Sequence, residues 1–228
     1  MNKFFIDKIR QIKEELAPQN EGDDPMKELK HFIKNKTILE ERFRLQEVGE
    51  EDMKKLLKKM KGKKSCGLDW ICGYSLKSVS DVIEPELREL VNLTIRNHSY
   101  TNSWKYSRVL PGFMNKGSRA ELKFYRPISN IQEISKLAER CVYNQMYDYL
   151  DKNDLIHPNH HGFLKNCSTS TALQQIYDVW MKHLDEGKLT GALFLDLSAG
   201  FDVIDHSLLI RKLPHYGFTE GTINWLRS

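Results

Sequence analysis

Three aspartates lie close together in the stretch FLDLSAGFDVIDH, residues 194–206, and these are the side chains of the sequence best suited to catalysis. Asp196 directly follows an apolar run, and a carboxylate at the end of a buried strand is well placed to bind a metal ion. Alternatively, Asp196 only ends the strand and caps the helix after it. Asp202 and Asp205 are expected near the start of that helix, where acids stabilise the N-terminus. Of the three aspartates, only Asp196 is then available to bind a metal ion, whereas two-metal catalysis needs several carboxylates.

The apolar periodicity of the sequence predicts the elements that would position Asp196. The continuous apolar run before it predicts a buried central strand over 191–196, with Asp196 at the exposed end. The clearest helix covers 129–151, with Ser129 as its N-cap, and is expected to pack near this strand. A short strand or hairpin arm is predicted at 106–114. Further helices are predicted at 3–16, from near Pro25, at 49–61, at 74–97, from about 172 to Gly187, at 202–213 and at 219–228. The fold class is therefore α+β and helix-rich.

Composition places the chain among ordinary folded proteins. It has 228 residues, of which 40% are hydrophobic and 29% charged, enough for one large or two small domains. No apolar run is long enough to span a membrane, and the N-terminus lacks the apolar region of a signal peptide, so an intracellular protein without a membrane partner is expected, in the nucleus or the cytoplasm. The four cysteines lack zinc-site spacing, so reduced thiols without a disulfide-linked partner are expected.

Positive charge is concentrated in one short stretch. The net charge is +4, but residues 1–52 carry ten basic and thirteen acidic side chains, whereas residues 53–64 carry seven lysines and no acid. Such a helix is either a solvated face or a surface for a polyanion such as nucleic acid. If it binds nucleic acid, the contacting residues are expected to be Lys54, Lys55, Lys58, Lys59, Lys63 and Lys64, assisted by Lys105 and Arg108.

The stretch FLDLSAGFDVIDHSLLIRKLPHYGF resembles motif A of the reverse transcriptases encoded by non-LTR retrotransposons. Four further blocks resemble motifs of the same family and occur in its order: KKSCGLDWI, WKYSRVLPGFMNKG, FYRPISNIQEISKLAER and HHGFLKNCSTSTAL. The resemblance covers residues from about 60 to 228. The sequence departs from the family at His160, where glutamine is usual, at Gly200, where alanine is usual, and in one extra residue before Lys116.

The resemblance implies a domain organisation. It predicts an incomplete right-hand polymerase that contains the fingers and the first part of the palm. Residues 1–52 would be a variable helical lead-in, 53–190 the fingers-like region and 191–228 the start of the palm. The aromatic-x-Asp-Asp motif that supplies the family's other metal-binding acids does not occur after motif A. The chain is therefore expected to be an N-terminal fragment that is inactive by itself.

The resemblance also implies roles for individual motif A residues. Asp196 would be the catalytic aspartate that bridges two Mg²⁺ ions, with the Leu197 carbonyl as an additional ligand. The backbone N–H groups around Ala199 and Gly200 would face the incoming triphosphate, since a helix start favours anions. Phe201 would stack beneath the incoming sugar and exclude a 2′-hydroxyl. Alternatively, Phe201 packs in the core.

Two basic residues upstream match the family's phosphate-binding positions. Lys116 and Arg126 would neutralise the β- and γ-phosphates of the incoming nucleotide, and positive charge there stabilises the transferring phosphoryl group. The alternatives are a surface lysine and a turn arginine.

The expected function is RNA-directed DNA polymerase activity, in which a DNA primer is extended with dNTPs on an RNA template by two-metal phosphoryl transfer. Two other classes stay open. One is a non-catalytic nucleic-acid-binding protein that keeps this scaffold. The other is a helical interaction domain in which the acid cluster has no function. An aromatic-x-Asp-Asp motif in a longer reading frame would favour the polymerase over the binding protein.

Overall fold

Helices dominate the computed structural model, which describes residues 2–15, 24, 26–34, 42–197 and 199–228. In chain order the elements are α1 (Asn2–Glu15), α2 (Lys27–Lys34), α3 (Glu50–Lys59), α4 (Gly73–Ser78), α5 (Ser80–Arg96), β1 (Arg108–Phe113), β2 (Tyr125–Asn130), α6 (Glu133–Lys152), α7 (Thr169–Asp185), α8 (His206–Lys212) and α9 (Glu220–Arg227). Short 3-10 helices cover Asn102–Lys105, Leu122–Phe124 and Leu213–Tyr216. The predicted α+β, helix-rich class agrees with this architecture.

The core forms where α3, α5, α6 and α9 meet. Met53 and Leu57 lie four residues apart on α3, and both side chains are buried against α5 and α6. This spacing places them on one face of the helix, and the helix itself was predicted over 49–61. Leu137 and Cys141 repeat the pattern on α6. The α6 helix thus contributes to the same core as the helix that carries the lysines.

An extended segment before α3 ties distant parts of the chain together. The backbone of Phe43 exchanges hydrogen bonds with the residues around Phe218, and the Leu45 N–H donates to Thr222 Oγ1 at 3.1 Å. The Val48 N–H donates to Asn92 Oδ1 at 2.7 Å, and Asn92 Nδ2 donates back to the Val48 carbonyl. Because these groups are buried, the bonds satisfy backbone polar atoms that would otherwise cost free energy. They fix α9 and α5 relative to α3.

The predicted strand or hairpin arm at 106–114 corresponds to β1, which pairs with β2 in an antiparallel sheet. Pro111 lies opposite Pro127. Neither proline has an N–H to donate, so this pair suits a non-hydrogen-bonded position of the ladder. The second strand was not predicted from the sequence. Ser129 belongs to β2, and α6 begins only at Glu133 with Gln132 as its N-cap, so the predicted helix start and cap were wrong.

Two further helix boundaries differ from the prediction. The helix expected over 74–97 is two helices, α4 and α5, which meet at Val79. The α7 helix starts at Thr169, where Ser168 and Thr171 form a reciprocal capping box, and it stops before Gly187. Gly187 has a φ of 68°, the left-handed conformation that ends helices and that glycine adopts without penalty. The predicted helix end at this glycine is confirmed.

The buried strand predicted over 191–196 is wrong. Residues 188–197 form neither helix nor strand, and the side chains of Leu193, Phe194 and Leu195 are about 80% exposed or more. A strand needs a neighbour to receive its backbone hydrogen bonds. Among the described residues the only two strands, β1 and β2, pair with each other. The apolar run is typical of a strand buried in a sheet, but none of the described strands pairs with it.

Pro25, where a helix was predicted to start, and Leu16, in the last turn of the predicted helix 3–16, lie outside the described residues. Among the helices of the described ranges, none is long and apolar enough to cross a membrane.

Candidate nucleotide and nucleic-acid binding site

The β1–β2 hairpin carries both predicted phosphate-binding residues. Lys116 lies in the loop that joins the strands, and Arg126 lies on β2 opposite Gly112. Both side chains are exposed, and no acid in the described part of the chain forms an ion pair with either. The structure therefore brings the two cations onto one element, with their charges available to an anion.

The hairpin loop has a defined conformation. Gly117 has a φ of 70°, and a Cβ at this position would lie 2.2 Å from the Phe124 ring. The Met114 N–H donates to the Phe124 carbonyl at 2.9 Å and closes the loop next to the strands. Only glycine combines this backbone conformation with the close approach of an aromatic ring. The packing fixes the backbone directly after Lys116.

Arg119, a further cation of the loop, was not selected from the sequence. Its guanidinium lies 5.2 Å from the centre of the Phe113 ring, and its carbonyl accepts a 2.9 Å hydrogen bond from the Tyr125 hydroxyl. The cation–π contact holds the side chain against the end of β1. The basic residues that flank Gly117 in MNKGSR are the sequence signal that could have identified it.

Asp196 is exposed and lies in the irregular segment before α8. The next residue, Leu197, is 80% exposed. No group of three or more histidine, cysteine, aspartate or glutamate side chains in the described ranges is arranged to hold a metal ion. Asp196 thus presents its carboxylate to solvent and belongs to no group of three possible metal ligands in the described ranges.

Asp205 is occupied as a helix cap, as predicted. Its Oδ1 accepts hydrogen bonds from the backbone N–H groups of Ser207 at 2.8 Å and Leu208 at 3.1 Å. A hydrogen bond from the Ser207 hydroxyl and these backbone donors lower the pKa of the Asp205 carboxyl. Asp202 was expected in the first turn of the helix, but it lies in a turn before α8, where its N–H donates to the Ala199 carbonyl at 2.8 Å.

The turn after Asp196 differs from the expected helix start. Ala199 has a φ of 53°, in the left-handed region, and α8 begins only at His206. The N–H groups of Ala199 and Gly200 therefore do not form a helix N-terminus, so the predicted helix start was wrong, while their contact with a triphosphate stays a prediction. The missing apolar strand explains the difference, because the predicted helix start depended on a strand that ends at Asp196.

Phe201 is 75% exposed, so the alternative role in the core is contradicted. Its ring meets the ring of Phe163 edge to face, with centroids 5.7 Å apart. Phe163 belongs to the HHGFLKNCSTSTAL block and is itself 83% exposed. The structure thus joins two of the motif-like blocks through an exposed aromatic pair, which leaves most of both rings accessible.

The predicted lysines divide into paired and unpaired groups. Lys54 forms an ion pair with Glu50, and Lys55 lies 3.7 Å from Glu51 and 3.4 Å from Asp52. The hydrogen bond with Glu50 raises the pKa of Lys54. The remaining predicted lysines are exposed and form no ion pair with an acid of the described ranges: Lys58, Lys59, Lys63 and Lys64. The positive surface available to a polyanion therefore starts after the first turns of α3.

The two assisting residues have local partners. Lys105 Nζ donates to Asn102 Oδ1 at 2.7 Å, and the Arg108 guanidinium lies 5.6 Å from the centre of the Trp70 ring. Trp70 is 75% exposed and lies in the loop that follows the lysine-rich stretch, with residues 65–69 between Lys64 and Trp70. Sequence reasoning did not select it. An aromatic residue in a loop preceded by lysines is the signal that could have drawn attention to it.

Residues 114–228 match the model of the family described as reverse transcriptase (RNA-dependent DNA polymerase). This range is half of the chain and includes Lys116, β2 and the segment around Asp196. The chain belongs to the reverse transcriptase family. The resemblance to reverse transcriptases of non-LTR retrotransposons is thereby confirmed, and by family the chain is grouped with the RNA-directed DNA polymerases, which are nucleotidyltransferases.

Relatives of this reverse transcriptase chain come from mobile elements of Drosophila melanogaster. It is 26% identical over 179 residues to "Probable RNA-directed DNA polymerase from transposon BS", an alignment that covers 75% of this chain and 20% of the relative. It is 22% identical over 162 residues to "RNA-directed DNA polymerase from mobile element jockey", covering 71% of this chain and 18% of the relative. The chain spans about a fifth of the length of these relatives.

Proposed function

We propose that this reverse transcriptase chain is part of an RNA-directed DNA polymerase that extends a DNA primer with dNTPs on an RNA template. The family match over residues 114–228 carries the proposal. The matched range begins in the hairpin loop, two residues before Lys116, and also includes Arg126 and Asp196. These three candidate site residues therefore all lie in the part of the chain that matches the family. The polymerase activity belongs to the whole protein of which this chain is part.

The hairpin cations have the chemistry that phosphoryl transfer requires. Charge develops on the non-bridging oxygens of the transferred group, and fixed positive charges nearby stabilise it. Lys116 and Arg126 are exposed on one hairpin and have no acid partner among the described residues. In the proposed enzyme they bind the β- and γ-phosphates of the incoming dNTP. Phe201, with its exposed ring, lies beneath the sugar and excludes ribonucleotides by its volume.

Asp196 and Leu197 offer the oxygen donors that Mg²⁺ prefers, a carboxylate and a backbone carbonyl. Bound Mg²⁺ would stabilise charge on the reacting phosphate oxygens. The described residues do not fit a complete two-ion site, because no cluster of three possible ligands occurs among them and Asp205 caps α8. We therefore propose that Asp196 and Leu197 supply only some of the Mg²⁺ ligands. In the proposed enzyme the remaining carboxylates come from residues other than those described. The 228-residue chain alone is then inactive.

The lone carboxylate also favours a second candidate, a nucleic-acid-binding protein that keeps the scaffold without catalysis. The unpaired lysines of α3 and the following loop support binding equally in both cases. The two candidates differ only in whether Asp196 takes part in chemistry.

Primer extension tests the proposal, with a DNA primer annealed to an RNA template, Mg²⁺ and either dNTPs or ribonucleotides. The 228-residue chain should give no extension, and extension by it would contradict the partial metal site. In a longer polypeptide that contains this chain and extends the primer, Asp196→Asn should abolish the product while Asp202→Asn, the matched control, retains it. Phe201→Ala should admit ribonucleotides and keep dNTP use. An Asp196→Asn variant that still extends the primer would contradict the catalytic role of Asp196, whereas a longer polypeptide that binds the primer and template without extending the primer would favour the non-catalytic candidate.

A further inference from the structure

The segment over residues 63–74, which we name the Trp70 loop, ends in the first residues of α4 and projects an aromatic ring from the basic surface. Trp70 at its tip is 75% exposed, and Tyr74 at its end is 58% exposed. The exposure of a large aromatic side chain costs free energy that burial would recover, and such exposure in a contiguous patch marks a binding surface. Lys63 and Lys64 lie at the start of the same loop and have no ion pair with an acid in the described ranges.

The base of the Trp70 loop is held firmly. Cys66 and Cys72 face each other in an isolated antiparallel bridge, and the Tyr74 N–H donates to the Lys63 carbonyl at 3.1 Å. Asn130 Nδ2 donates to the Cys66 carbonyl at 2.6 Å and fastens the loop to the end of β2. Because these contacts order the backbone in the free protein, little conformational entropy is lost when the loop binds a ligand.

Two features orient the tryptophan itself. Trp70 has a φ of 59°, a left-handed conformation that is rare for a bulky residue and that persists only where its surroundings impose it. The Arg108 guanidinium lies 5.6 Å from the ring centre, over one face. A cation over one face steadies the ring and leaves the opposite face open to a second planar group.

We propose that Trp70 is a stacking platform for an unpaired nucleobase, with Arg108, Lys63 and Lys64 binding the adjacent phosphates. The ligand is a single-stranded segment of nucleic acid, because a base inside a duplex has both faces occupied by its neighbours, whereas an unpaired base offers a free face. The stacking tolerates any base, since every base has a π face. This inference rests on the nucleic-acid binding of the proposed function. It adds that the surface around Trp70 recognises single-stranded rather than double-stranded nucleic acid.

The test compares single-stranded and duplex probes with the complete 228-residue chain. Fluorescence anisotropy measures binding of a 12-nucleotide oligo(U) and of a blunt RNA duplex of equal length. Trp70→Ala should weaken oligo(U) binding about 5- to 100-fold, the range for loss of one base–aromatic stack, and should change duplex binding less than about twofold. Trp70→Phe keeps a ring and should stay within about threefold of the wild type. Val82→Ala, which truncates another exposed apolar side chain, serves as the matched control.

The salt dependence separates failure of this inference from failure of the proposed function. Trp70→Ala removes no charge, so the slope of log K against log salt should match the wild type. If the wild type binds both probes but Trp70→Ala leaves oligo(U) affinity unchanged, or weakens both probes equally, the stacking platform is wrong and the proposed function stands. If the wild type binds neither probe, the nucleic-acid role proposed for the whole surface is wrong, and the platform with it.

Discussion

The two cysteines Cys72 and Cys141 show how local surroundings give the same side chain opposite properties. Cys141 is buried in the core on α6, and burial raises the pKa of its thiol to about 12. Cys72 lies before α4, and a hydrogen bond with the Ser75 hydroxyl, at 3.2 Å, lowers the pKa of its thiol. Since the thiolate is the reactive form, Cys72 has the larger reactive fraction near neutral pH.

Alkylation rates follow from this difference. With iodoacetamide at about pH 8, near the usual thiol pKa, Cys72 should be modified well before Cys141. Ser75→Ala should slow modification of Cys72 because it removes the hydrogen bond that favours the thiolate. Mass spectrometry of peptides at timed intervals measures both rates. In denaturant the two rates should become similar, and equal rates in the folded protein would contradict the assigned surroundings.

At the scale of elements, the β1–β2 hairpin depends on one glycine. Gly117→Ala would place a methyl group 2.2 Å from the Phe124 ring in a left-handed backbone conformation. We expect a loss of about 1–3 kcal/mol in the free energy that keeps the hairpin closed, from the combined strain and clash. Hydrogen exchange of the β1 and β2 amides measures it, since a less stable hairpin opens more often.

Gly162→Ala is the control for the hairpin prediction. No atom lies within 4 Å of a Cβ at Gly162, and its φ is not in the left-handed region, so the exchange rates of the hairpin should stay unchanged. Unchanged exchange in Gly117→Ala as well would contradict the role of this glycine in fixing the loop beside Lys116.

The elements also show what the sequence can predict. The end of α7 at Gly187 and the position of β1 follow from local signals, because a helix C-terminus and a proline-containing strand have characteristic residues. The strand over 191–196 was wrong and β2 was missed for one shared reason. Strand formation depends on a partner elsewhere in the chain, and local periodicity does not identify that partner.

The candidate site likewise has features that the sequence predicts and features that depend on packing. The resemblance to the reverse transcriptase family selected Lys116, Arg126 and Asp196 as candidates, and the structure places the first two on one hairpin. The turn at Ala199 was not foreseen, because it depends on how the segment before α8 packs. Trp70 was overlooked because nothing in its local pattern predicts the approach of Arg108 from β1.

The whole molecule combines a packed helical part with an exposed one. The buried core comes from α3, α5, α6 and α9 with their connecting segments, whereas no residue of α7 is buried. Stability therefore rests on the helices that surround the lysine-bearing α3. Substitution of exposed lysines should leave the fold intact, since surface changes away from caps and buried pairs cost little.

For the whole molecule we propose that the lysines after the first turns of α3 bind the nucleic-acid backbone. Each phosphate neutralised contributes about 0.9 to the slope of log K against log salt for a duplex. Replacing four of these lysines by glutamine, namely the predicted Lys58, Lys59, Lys63 and Lys64, which pair with no acid of the described ranges, should therefore reduce the slope by up to about 3.6. The matched control replaces four exposed lysines of α1 and α2 and should leave the slope unchanged: Lys3, Lys8, Lys13 and Lys34.

The most direct measurement is the affinity of the 228-residue chain for a DNA primer annealed to an RNA template, titrated between about 50 and 200 mM salt, the range over which phosphate contacts change affinity steeply. We expect log K to fall steeply and linearly with log salt for the wild type, and much less steeply for the variant with glutamine at Lys58, Lys59, Lys63 and Lys64. A variant slope equal to that of the wild type, or a control variant that flattens as much, would contradict the proposed binding by these lysines.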